Sequence, residues 1–78
     1  MERVAMKRTI QVIIRRGESK YVAECVDFPI VTQADTLDEL VKNIEESVGL
    51  FLKGEDLAGL GLVEHPVVLA TLELDAAA

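Results

Sequence analysis

The chain has 78 residues, half of them apolar and 28% charged, with fourteen acids against eight lysines and arginines for a formal charge of −6. That length excludes a two-domain enzyme, and so small a core gains from a second copy or a partner. The acidic balance argues against an extended phosphate-tracking surface, which is built from cations, so neither DNA nor RNA binding is expected.

In chain order, Met6 to Arg16 places Ile10, Val12 and Ile14 on one face and Thr9, Gln11, Ile13 and Arg15 on the other, the period of a strand packed on one side. Gly17 offers a residue free to take positive φ in a tight reversal, and Lys20 to Phe28 alternates again, which predicts a hairpin. Tyr21, Ala23 and Cys25 then face the core, leaving Val22 and Val26 outside. Pro29 removes a ladder donor, so Ile30 to Ala34 reads as a separate third strand.

Thr36-Leu37-Asp38-Glu39 has the form of a capping box. Leu37, Leu40, Val41, Ile44, Val48, Phe51 and Leu52 follow it at helical spacing as one apolar stripe, and Gly54 suits a left-handed C-terminal cap beside Lys53. Glu55 to Glu64 reads equally as a loop or a short helical turn. Val67 to Leu74 alternates once more, with Pro66 at its entry, and predicts the last strand. The expected domain spans 1–78, with its core over 6–74 and a frayed tail at 75–78.

The predicted fold class is α+β, in the order β-β-β-α-β. A right-handed crossover through the helix lays the last strand parallel to the first, giving a mostly antiparallel sheet of order 3-2-1-4 with one helix on one face. The other face then lacks a covering layer. Ile13, Val22, Val26, Val67 and Leu69 on that face, with Leu50 projecting away from the helical stripe, are the candidate dimer contacts. A homodimer is expected, through either an edge strand or the open sheet face.

Chemistry is sparsely signalled. The single Cys25 cannot form an internal bridge and reads as a small buried hydrophobe. No apolar run is long enough for a signal-peptide core or a membrane span, which points to the cytoplasm and away from a membrane. Asp27 and Asp35 flank the third strand but make a weak acid pair, His65 has no evident nucleophile, and Ser19 and Ser47 have no histidine placed for them. No catalytic residue, metal ligand or cofactor site is expected. Six of the eight bases (Arg3, Lys7, Arg8, Arg15, Arg16 and Lys20) lie in the first twenty residues, against twelve acids from Glu24 onward. This predicts a charge-polarised molecule, with the basic strand guarding a sheet edge.

The segment Tyr21-Val22-Ala23-Glu24-Cys25-Val26-Asp27-Phe28-Pro29, then Thr32-Gln33-Ala34-Asp35-Thr36-Leu37-Asp38-Glu39-Leu40 and Asn43-Ile44, resembles the HicB-like antitoxin family over about residues 8 to 54. That family shows a Tyr-x-Ala strand, an Asp-Leu-Pro-Gly-Cys turn, a Thr-Gln-Gly-Asp-Thr entry to the helix and an asparagine midway along it. Here the Gly-Cys after the proline is absent, Ile30-Val31 stands in a loop one residue shorter, and Ala34 replaces the usual glycine.

The resemblance implies a partial ribonuclease-H-like fold without that fold's catalytic acids. It also implies a non-enzymatic role: neutralising a HicA-type, mRNA-cleaving toxin by masking its basic surface. Family members usually append a DNA-binding domain, which these residues do not include, so direct operator binding is not expected of them. Asp27, Asp35, Asp38, Glu45 and Glu46 are the candidate partner-binding acids. The alternatives are a nucleic-acid-binding or residual nuclease domain, which requires Arg8, Arg15 and Arg16 on one surface, and an orphan regulatory module.

Overall fold

Alternation along the first strand becomes a half-buried strand because every second side chain is apolar and can be taken out of water together. In the computed structural model, which describes residues 6–76, this is β1 (Lys7–Arg16), with Ile10, Val12 and Ile14 buried. β2 (Tyr21–Cys25) and β3 (Val31–Ala34) follow, then α1 (Leu37–Leu52) and β4 (Leu62–Leu72). The sheet order is β3-β2-β1-β4; β1/β2 and β2/β3 are antiparallel and β1/β4 is parallel. The architecture is therefore α+β with a mixed sheet that does not close into a barrel.

The reversal at Gly17 is held by its N–H donating to the Lys20 carbonyl at 2.8 Å. Gly17 does not take positive φ; a Cβ there would meet that same carbonyl oxygen at 3.2 Å, so close approach is what the position uses. The second and third strands are shorter than expected. β2 stops at Cys25, whose N–H donates to the Ile30 carbonyl at 2.9 Å, and Asp27 to Pro29 form the bend between the two strands. Cys25 is half-buried against the core rather than enclosed in it.

Thr36 caps α1: its hydroxyl oxygen accepts from the Glu39 N–H at 3.2 Å, and the hydroxyl donates to Glu39 Oε1 at 3.1 Å. Asn43 Nδ2 donates to the Gln33 carbonyl at 3.1 Å and pins the helix to β3. At the far end the Lys53 N–H closes on the Gly49 carbonyl, and Gly54 takes φ +76°, the left-handed conformation that costs a residue with a Cβ. The Phe28 and Phe51 rings, 5.0 Å apart, join the β2–β3 bend to the last turn of the helix.

The core joins Ile10, Val12, Ile14, Ala23 and Ala34 of the sheet to Leu40, Ile44 and Val48 of the helix, with Leu62 beneath. Two expectations fail here. Val41, placed by its spacing in the buried stripe, is 49% exposed, because α1 lies over β2 and β3 and leaves its flank toward β4 without a partner.

The last strand also starts five residues early, at Leu62, and ends at Leu72; Leu74 lies outside it and is exposed. Residues 57–61 form turns, with Leu60 and Gly61 N–H groups donating to the Leu57 and Ala58 carbonyls, and Leu62 then enters the core. Lys7 pairs with Leu62 and Thr9 with Val67, so the residues between Leu62 and Val67 bulge out, with His65 at φ 56°. Asp75 and Ala76 have no regular structure; the rest of the expected frayed tail, and Arg3 of the basic segment, lie outside the described residues.

Candidate functional site

Strand register assigns each side chain to a face, since directly paired residues share one. Ile14 pairs with Ala23 and Leu72, and Val12 with Cys25 and Ala70, so Val68, Ala70 and Leu72 belong to the helix side of the sheet. Ile13 pairs with Glu24 and Thr71, and Gln11 with Leu69, so Val67 and Leu69 share the opposite face with Ile13, Val22 and Val26. There Val26, Val67 and Leu69 are about half exposed and Ile13 and Val22 half-buried. Val31, opposite Glu24 on the same face, is exposed too and was not among the expected contacts. Leu50 is 72% exposed as predicted, but on the outer side of α1; one planar interface cannot use it together with the five sheet residues.

Polar groups interrupt this open face at one end. Arg15 Nε donates to Glu73 Oε1 at 3.0 Å, and its Nη1 lies 3.5 Å from Glu24 Oε2. The hydrogen bond and charge of Glu73, with Glu24 adding to them, hold the guanidinium above its ordinary pKa. The sheet order, as expected, puts the basic strand in the middle, so it guards no edge, and two of its four cations, Lys7 and Arg15, are paired with acids elsewhere in the chain. Pairing of Lys7, Arg15 and Lys20 with Asp27, Glu24, Glu73 and Asp35 works against the expected split into a basic and an acidic pole. Arg8 and Arg16 alternate with Arg15 and fall on the other face, near opposite ends of β1, so the three do not make one cationic surface.

The candidate acids divide in the same way. Asp27 takes Lys7 at 2.9 Å and Asp35 takes Lys20 at 2.7 Å, at opposite ends of β3. Asp35 holds the Lys20 ammonium above its ordinary pKa through that hydrogen bond and its charge. Asp38, Glu45 and Glu46 are exposed on α1 and have no ion pair within 4.0 Å among the described residues. The expected five-acid surface thus reduces to a helical acidic face, with Asp27 and Asp35 already neutralised at its margins.

His65 is exposed in the bulge, Ser47 half-buried on the helix and Ser19 exposed in the hairpin. Among the described residues no three His, Cys, Asp or Glu side chains come together, no polar or charged residue is buried, and no helix is long and apolar enough to cross a membrane. A groove of about 400 Å³ does lie between α1 and β4, lined by Val41, Ile44 and Glu45 on one side and Pro66, Val68 and Ala70 on the other. Sequence reasoning missed it; the available signal was the run Val67-Val68-Leu69-Ala70-Thr71-Leu72, apolar on both alternating faces, which suits a covered strand better than a half-exposed one. No family model, curated protein or solved structure matches the chain.

Proposed function

We propose that the chain is an antitoxin-type binding module, HicB-like, which neutralises a HicA-type mRNA-cleaving toxin by occupying its cationic RNA-binding surface. The observation that carries this reading is the solvent side of α1, where Asp38, Glu45 and Glu46 are exposed with no ion pair within 4.0 Å among the described residues and outnumber the one cation among them, Lys42. The resemblance between Tyr21 and Ile44 supports it, as does the agreement of the β-β-β-α-β order with the fold that the family implies. An inhibitor of this kind needs no reacting group of its own. It excludes RNA by contact, and complementary charge accelerates the encounter.

The direct test mixes the purified protein with a HicA-type toxin from the same cell and follows cleavage of a labelled messenger RNA. Stoichiometric inhibition is expected, with association that slows as salt rises and slows further in Glu45→Lys/Glu46→Lys. Uninhibited cleavage, with no complex detected by titration calorimetry, would refute the antitoxin reading. Association unchanged by the double reversal would instead remove the helical acids from it.

A further inference from the structure

β4 is an edge strand whose second half, Val67–Leu72, carries none of the devices that keep edges apart among the described residues. Natural sheets blunt their edges with lysines, prolines, bulges or a covering element. Here Pro66 and the bulge stop at the strand's entry, and His65 to Leu72 is the longest stretch of the chain without an acid, lysine or arginine. Val67 and Leu69 on one face and Ala70 and Leu72 on the other are all exposed. The Glu73 N–H donates to the Ile14 carbonyl at 2.9 Å, and the Gln11 carbonyl turns away from β4 to accept from Val26. Alternation along a parallel ladder then turns the N–H and C=O groups of Val67, Leu69 and Thr71 toward β1 and those of Val68, Ala70 and Leu72 outward to an edge that no other described strand pairs with.

We propose that a second copy of this chain pairs here, β4 antiparallel to β4, about a two-fold axis at Ala70, so that two four-stranded sheets become one continuous sheet. An antiparallel two-fold pairing presents the same surface from both sides, as an isologous interface requires. With Ala70 on the axis, Val68 stands opposite Leu72 of the copy, and all three outward residues exchange both of their backbone hydrogen bonds. Centring the axis on Leu69 would instead set Pro66, which has no N–H, opposite Leu72.

Charge selects the occupant. Two chains of −6 repel wherever their acids meet; the other edge strand, β3, is uncharged as well but only four residues long and followed directly by Asp35, whereas β4 offers six uncharged residues from Val67 to Leu72. In the Ala70 register the flanking Glu73 falls opposite Val67, so no carboxylates of the two copies oppose. On the helix side, Val68, Ala70 and Leu72 of both copies form a continuous apolar strip. The copy's Leu72 comes beside the mouth of the groove that Val41 and Val68 line. The pairing thus supplies the cover that α1 fails to give, and it stands whether or not the antitoxin reading does.

The test exploits the axis, where a residue faces its own copy. Sedimentation equilibrium at micromolar concentration should show a dimer for the unmodified chain. Ala70→Lys and Ala70→Glu should each sediment as monomers, with the dimer dissociation constant raised roughly tenfold or more, because like charges then oppose directly. An equimolar mixture of the two should recover a dimer containing one copy of each. Ala70→Pro, which removes only an outward-facing N–H and leaves the β1 ladder intact, should also be monomeric with an unchanged far-ultraviolet spectrum. A monomeric unmodified chain, or a dimer that survives all three substitutions and yields to Val26→Lys on the open face, would overturn the proposal. So would failure of the mixture to associate when each variant alone is folded and monomeric.

Discussion

Leu40 and Val41 are adjacent, apolar and equally members of the helical stripe by spacing, yet the first is fully buried and the second 49% exposed. Leu40→Ala removes three buried carbons, about 0.8 kcal/mol each in transfer free energy. With the unfilled cavity added, the loss is about 3 kcal/mol, inside the range of roughly 2–5 kcal/mol for such truncations. A domain of this length has on the order of 4–12 kcal/mol of stability in all, so Leu40→Ala should lower Tm by roughly 12–24 °C. Val41→Ala strips two carbons already half in water and should cost about 0.8 kcal/mol at most.

Urea unfolding followed by far-ultraviolet circular dichroism, at one fixed protein concentration, separates the two. Ile44→Val, expected to cost about 1 kcal/mol, keeps the comparison available if Leu40→Ala leaves too little folded protein. Equal losses at 40 and 41 would mean that α1 sits squarely over the sheet. The account of the groove, and of the uncovered strand beside it, would then fail.

Thr36→Ala should cost about 1 kcal/mol, because the Glu39 N–H loses its acceptor, whereas Thr36→Ser should be nearly neutral; thermal unfolding distinguishes them. Gly54→Ala forces a Cβ into the left-handed region at φ +76° and should destabilise by roughly 1 kcal/mol even though the surrounding space is open, as urea titration can establish. Asn43→Ala should expose the Gln33 amide region of β3 to faster hydrogen exchange while leaving amides in β1 unchanged, since its side chain ties the helix to that edge alone. Asp35 raises the Lys20 pKa, so the stabilisation from this pair is fully present below the ordinary lysine value and is lost as pH rises through the raised one. Asp35→Asn should lower the Lys20 pKa toward its ordinary value, read by NMR of its side-chain nitrogen, and should shrink that alkaline loss, with the charge of Glu39 still acting.

Local pattern carried much of this fold. Period-two alternation in β1, the capping residues at Thr36 and Gly54, and the buried positions of Leu40, Ile44 and Val48 are settled by which side chains share a face and by which backbone groups need a cap. With the crossover rule, those elements also yield the sheet order. The candidate site was less legible. Spacing says that Val41 lies with Leu40 on one stripe, but not how far that stripe extends beyond the layer it meets; the sideways seat of α1 over β2 and β3 decides it. Likewise, a run of bases at the start of the chain looks like a cationic region until the acids that pair with it are placed. Arg15 then meets Glu73, 58 residues away, and Lys7 and Lys20 take up Asp27 and Asp35. Sequence determined what each segment is because that depends on neighbours along the chain. Tertiary structure alone decided which charges are spent and which strand edge is left bare, because those depend on partners that only packing brings within reach.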